Sequence, residues 1–189
     1  TAKPIKMVVL GDSLSAGFGL AASAAFPQRL KKALEFKGLY VDMINAGVSG
    51  DTSSSGRDRL NWSVPEGTEA VILELGANDA LRGLQPAQAE AAIDGILGKL
   101  GEKKIPTLLA GMRAPPNLGP EYMSAFDGMY ARLAGKHEAL FYPFFLDGVA
   151  ADIKLNQADG MHPNAAGVDV IVARMLPVVE ELVTKAAAK

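Results

Sequence analysis

The feature that most constrains this chain is the alternation of short, continuous apolar runs with stretches that carry an apolar residue at every third or fourth position. The runs are Ile5–Leu10, Leu39–Ile44, Ala70–Leu75, Ile105–Ala110 and Leu140–Phe145. Each has the length of a strand. Several are apolar at consecutive positions, the pattern of strands covered by helices on both faces. Between them, Phe26, Leu30, Ala33 and Leu34 recur at helical spacing, as do Ala89, Ile93, Ile96, Leu97 and Leu100, which gives each segment one apolar stripe. A third helix is expected near Tyr122–Leu133. The last should open at Pro163 and run through Ile171, Met175, Val178 and Leu182, kinked or broken at Pro177. Strand and helix thus alternate throughout, which predicts an α/β fold: a three-layer α/β/α sandwich around a central, mainly parallel five-stranded sheet with right-handed crossovers. With 189 residues and no internal repeat or long linker, a single domain over 1–189 is expected.

Composition removes several function classes. Nineteen basic residues against 21 acidic ones give a net charge of -2, and no Lys/Arg stripe is present to track phosphates, so nucleic acid is not an expected partner. The absence of cysteine excludes disulfides, thiolate metal sites and a cysteine nucleophile. Apolar stretches such as Met7–Leu10 and Val168–Val172 fall far short of the ~20 residues that cross a bilayer. The chain begins at Thr1 rather than Met, which is compatible with a processed N-terminus and export.

In a doubly wound sheet the ligand site lies beyond the carboxyl ends of the strands, near the point where strand order reverses. The first run ends in Gly11-Asp12-Ser13-Leu14-Ser15, the second in Asn45-Ala46-Gly47-Val48-Ser49-Gly50-Asp51, and the third in Gly76-Ala77-Asn78-Asp79. Near the end of the chain comes Asp159-Gly160-Met161-His162-Pro163-Asn164, with a carboxylate three residues before a histidine. These residue types suit nucleophilic acyl transfer. A serine hydroxyl attacks only when a base takes its proton, and neutral imidazole is suited to that near pH 7. A carboxylate on the other ring nitrogen fixes the tautomer and stabilises the imidazolium. Ser13, His162 and Asp159 can fill these roles. The negative charge that develops on the former carbonyl oxygen needs donors already aimed at it, which the backbone N–H groups of Ser13 and Gly50 and the side-chain amide of Asn78 can supply.

The blocks GDSLS at 11–15, NAGVSGDTSSSG at 45–56, GAND at 76–79 and DGMHPN at 159–164 resemble, in order and spacing, the four signature blocks of the GDSL/SGNH hydrolases. SGDTS at 49–53, LGANDALRG at 75–83 and QPAQ at 85–88 make the chain most similar to the bacterial multifunctional lysophospholipase/thioesterase/arylesterase enzymes of that family. The resemblance implies a flavodoxin-like sheet of SGNH type. It implies Ser13 as nucleophile, Asp159 and His162 as its partners, and Gly50 and Asn78 with Ser13 as the oxyanion hole. No metal or organic cofactor is implied. The loop from Asp79 through Ala80 and Leu81 to Leu84 is expected to border the acyl site, and the stretch containing Met112, Arg113 and Pro115 to shape it. The implied substrates are small carboxylic esters, aryl or short-to-medium acyl, and thioesters. Lysophospholipids or acetylated carbohydrates are the alternatives, and periplasmic or secreted residence is implied for the chain, with the cytoplasm as the alternative.

Plainer readings stand beside these. Asp12 is expected to hold the turn that presents Ser13, and Asp79 to close its own turn through backbone bonds. His137 is read as a surface residue, and Trp62 and the cluster Phe141–Phe145 as packing. A different class of function would make the chain a flavodoxin-like binding domain, with Asp12, Asp51 and Asp79 holding Mg²⁺ or a phosphate-bearing ligand. That reading leaves Asp159 and His162 without a role. An α/β-hydrolase is excluded because no G-x-S-x-G elbow occurs.

Overall fold

A computed structural model of the chain describes residues 3–189. Five strands form one sheet: β1 (Ile5–Gly11), β2 (Val41–Gly47), β3 (Ala70–Glu74), β4 (Thr107–Ala110) and β5 (Leu140–Tyr142). All four neighbouring pairs are parallel and the order is β2-β1-β3-β4-β5, so the chain reverses its direction of travel between β1 and β3. The five runs read from sequence therefore become the five strands. Two of them shift. The Leu39 N–H caps the preceding helix at the Leu34 carbonyl, which delays β2 until Val41 pairs with Ile5. Pro143 has no N–H to continue a ladder, and β5 stops at Tyr142.

The crossover helices are α2 (Phe26–Phe36), α6 (Pro86–Glu102) and α7 (Pro120–Lys136), and α8 (Ala165–Ala187) closes the fold. Helix α2 packs along α8, while α6 packs with α7 and with the short α3 (Ser53–Asp58), so both sheet faces are covered. Every residue of β3 and β4 is buried as a result. Short helices mark the strand ends: α1 (Ser13–Ala16) follows β1, α3 and α4 (Leu60–Ser63) follow β2, and α5 (Ala77–Leu81) follows β3.

Four expectations need correction. Pro163 does not open α8; it bridges to Asn156, and Asn164 becomes the N-cap, its side chain accepting from the Gly167 N–H. Of the kink or break expected at Pro177, the break does not occur, since α8 continues as helix on both sides of it. Trp62 is 90% exposed, because α4 is a single turn that places it away from the sheet. His137 is not a free surface residue: it caps α7 and bonds Asp94 of α6 at 2.6 Å, with its side chain mostly covered. Of the aromatic cluster, Phe145 is fully buried against Phe26, whereas Phe141, Tyr142 and Phe144 are half-buried.

Close approach of α1 to β2 depends on Gly47. A methyl group there would overlap the Ala16 amide nitrogen and lie 2.9 Å from the Asp12 carbonyl. The glycine thus lets the segment that carries Ser13 settle on the sheet.

Candidate active site

Ser13 is the first residue of α1, immediately beyond β1, and so stands at the switch point of the sheet. The preceding Asp12 caps this helix, its Oδ1 accepting from the Leu14 N–H at 3.0 Å. Gly17 ends the helix in the left-handed region at φ 85°. The serine is therefore fixed on a single tight turn, as the sequence reading expected of Asp12.

The Ser13 hydroxyl lies 3.0 Å from His162 Nε2, although 149 positions separate the two residues. On the other side of the ring, His162 Nδ1 lies 2.6 Å from Asp159 Oδ2. The other oxygen of Asp159 accepts from the backbone N–H groups of Met161 and His162, at 2.9 and 3.0 Å. The carboxylate is thus bound to both the main chain and the ring of the histidine it orients. These bonds hold Asp159 well below the ordinary carboxylate range, at about 2, the His162 backbone bond contributing most.

That depression fixes a pH dependence. A carboxylate with a lowered folded-state pKa contributes stability above its unfolded value of 3.8, and loses it as pH falls through about 2. Thermal melts of Asp159→Asn should therefore show a constant deficit against the parent at neutral and mildly acidic pH, a deficit that shrinks only below about pH 4. A deficit that stays unchanged from about pH 5 down to about pH 2 would mean that Asp159 ionises normally.

Two contacts place the imidazole from behind. The ring of Phe18 lies 4.4 Å from that of His162 between centroids, tilted by 35°. Gln157 ties the Phe18 segment to the histidine loop, donating to the carbonyls of Phe18 and Pro163, while its own N–H donates to the His162 carbonyl at 2.7 Å.

Asn78 enters from α5, at the end of β3. Its side-chain nitrogen donates to the Asp51 carbonyl at 2.9 Å, which occupies one amide hydrogen and leaves the second. Gly50 adopts φ 85°, a conformation suited to glycine, and its carbonyl accepts from Arg82. The network continues through Arg59, which sequence reasoning missed. Its guanidinium binds Asp51 Oδ2 at 2.6 Å, the Ala46 and Gly11 carbonyls at 2.9 Å each, and the Ser63 hydroxyl at 2.8 Å. One side chain thereby ties the ends of β1 and β2 to the loop that holds Asn78.

Ser13, Asn78 and His162 line a cleft of about 220 Å³ with largely apolar walls that include Leu81, Met112, Pro115 and Leu146, and Arg113 stands at its rim over the Phe144 ring. Of the residues expected at the acyl site, Asp79 and Ala80 do not reach this cleft. Ala77–Leu81 is a helical turn, so Ala77, Asn78 and Leu81 share the face towards the cleft while the two residues between them turn inward. Asp79 is buried and accepts from the Ser53 N–H and hydroxyl at 2.8 and 3.1 Å. The alternative divalent-cation site fails on the same grounds: Asp51 is paired with Arg59, Asp79 with Ser53, and Asp12 is buried beside Glu74. Among the described residues no three His, Asp or Glu side chains converge as a metal site.

A serine, an imidazole and a carboxylate hydrogen-bonded in series at the switch point of a parallel sheet define a Ser-His-Asp hydrolase. Residues 9–170 match the GDSL-like Lipase/Acylhydrolase family, and the chain belongs to that family. It is 37% identical to Esterase TesA of Pseudomonas aeruginosa over 93% of this chain and 88% of the relative. It is 39% identical to Thioesterase 1/protease 1/lysophospholipase L1 of Escherichia coli over 84% of this chain and 75% of that protein. Among solved structures, AlinE4, an SGNH-hydrolase family esterase, superposes with a TM-score of 0.82 at 44% identity, covering 96% of this chain and 97% of the other. The chain is an esterase-class enzyme of SGNH type, and no helix among the described residues is long and apolar enough to cross a membrane.

Proposed function

We propose that the chain, as one domain, hydrolyses small carboxylic esters, aryl or of short-to-medium acyl length, and also thioesters, through a covalent acyl-enzyme. Ser13 Oγ attacks the acyl carbonyl while His162 Nε2 takes its proton, and the alcohol or thiol leaves with that proton. Water then attacks the acyl-serine, again giving its proton to His162, and the acid is released as Ser13 regains its hydrogen. Asp159 keeps the ring in the tautomer that presents a free Nε2 to the serine, and stabilises the imidazolium. The oxyanion hole is assigned to the N–H of Ser13, the N–H of Gly50 and the side-chain amide of Asn78. As the first residue of α1, Ser13 has no acceptor for its N–H within the helix.

The observation that carries this reading is the unbroken bond series from Asp159 through His162 to Ser13, which opens on a cleft with apolar walls. Leu81, Met112, Pro115 and Leu146 suit an acyl or aryl group better than an acetylated sugar, which would demand more polar partners. Localisation follows the family likeness, with export to the periplasm as the proposed destination.

The test is a series of p-nitrophenyl and thioester substrates of increasing acyl length, run beside a lysophospholipid and an acetylated sugar. The kcat/KM should be highest for short or medium chains, with ester and thioester both cleaved. Faster cleavage of the acetylated sugar than of every aryl ester would overturn the substrate assignment.

A further inference from the structure

The site contains two carboxyl groups that the proposed reaction does not use. Glu74 is the only charged residue of β3 and stands opposite Gly11 in the β1–β3 ladder. The missing side chain of Gly11 makes the room: a methyl group there would lie 2.6 Å from Glu74 Oε1. That oxygen accepts from the Ser15 hydroxyl at 2.6 Å and from the Asp12 N–H at 3.3 Å. Asp12 Oδ1 is engaged by the Leu14 N–H. The remaining oxygens, Asp12 Oδ2 and Glu74 Oε2, are buried and receive no donor from any other group. The two residues adjoin, since the Asp12 N–H itself donates to Glu74. Both residues are wholly inaccessible to solvent.

Two adjoining carboxyls shut away from water, each with an oxygen that no donor reaches, call for a proton on the pair, since like charges so placed do not both ionise. The other titratable and charged groups around the pair supply no such proton. Tyr130 of α7 gives its hydroxyl hydrogen to the Leu75 carbonyl, and Asp79 of α5 is held by Ser53. Arg59 spends one guanidinium nitrogen on the Gly11 carbonyl, and His162 faces Ser13 and Asp159.

We propose that Asp12 and Glu74 share one proton as a buried acid–carboxylate pair, which fixes the α1 turn carrying Ser13 and gives the His162 imidazolium a second anionic neighbour. Both members are positioning residues. Asp12 precedes the serine and caps its helix, and Glu74 grips that helix through Ser15. Burial, opposed by the bond to Glu74, pushes Asp12 up to about 6, and burial with the Asp12 charge drives Glu74 well above its ordinary range. The pair therefore keeps one proton and one negative charge at neutral pH. The charge of His162 in turn lowers Asp12, against its burial. The role of the pair in turnover rests on Ser13 being the nucleophile; the shared proton does not.

Infrared difference spectroscopy of the full chain above neutral pH tests the proton directly. The parent should show the carbonyl stretch of a protonated carboxylic acid, and Glu74→Gln should lack it. No such band in the parent, or its persistence in Glu74→Gln, would overturn the proposal, and neither result depends on catalysis or on any further variant folding. Kinetics test the positioning. Glu74→Leu leaves Asp12 Oδ2 buried without a donor and should lower kcat by about ten- to hundredfold with KM little changed. Glu74→Gln, which restores an N–H donor, should recover most of that loss. Equal kcat for the Leu and Gln variants would refute the positioning role. Failure of a phosphonate to label Ser13 would instead refute the nucleophile assignment and leave the infrared band in place.

Discussion

Ser13→Ala should lose about 10⁴-fold or more in kcat on any ester the parent cleaves, because the covalent route disappears and only binding and charge stabilisation remain. His162→Ala should lose a similar amount, since a hydroxyl without a base is a poor nucleophile. The combined variant should fall little further. Residues that act as one unit do not add, and the 3.0 Å bond between these two makes them such a unit. Substrate binding should survive in Ser13→Ala, as the apolar walls of the cleft come from other residues. An alkyl phosphonate should add one adduct mass to the parent protein and none to Ser13→Ala. Retention of more than a few per cent of parental turnover by the alanine variant would end the case for Ser13.

The second large effect is expected at Asn78. Removing one oxyanion donor typically costs about 10²–10³ in kcat, so Asn78→Ala should lose that much while KM changes little. Phosphonylation of Ser13 should slow in parallel, because its transition state also places negative charge on an oxygen facing the donors. Asn78 also holds the Asp51 carbonyl, so a thermal melt must accompany the kinetics. A small drop in melting temperature beside a large loss of kcat assigns the effect to the transition state. A loss below about tenfold would remove Asn78 from the oxyanion hole.

Much of the architecture was legible because a parallel sheet buried on both faces demands continuous apolar runs, and all five strands arise from such runs. The serine, the histidine and its carboxylate were legible for a different reason: each lies in a short block whose residue types suit one chemical task. Less legible was whatever depends on the phase of a short helix. Asp79 and Ala80 follow Asn78 directly, yet they turn away from the cleft because α5 is helical and not an open loop. Pro163 reads as a helix opener until Asn164, with its side chain on the Gly167 N–H, takes the capping position. Arg59 gave no local signal, since its four acceptors come from separate segments that meet only in the fold. Glu74 did leave a trace, a single charge inside Ala70–Leu75, but the neighbour that explains it is 62 positions away.

Asp159 and His162 come after the last strand, on the segment that leads into α8, and α8 rests on α2 and on strands β1, β3, β4 and β5. During synthesis the nucleophile therefore emerges long before its base. A ribosome that has delivered every strand still holds back the helix that seats the histidine loop, so on the proposed mechanism hydrolysis is expected only after that final stretch docks. On that mechanism, activity should double as a report that the C-terminal helix has found its place.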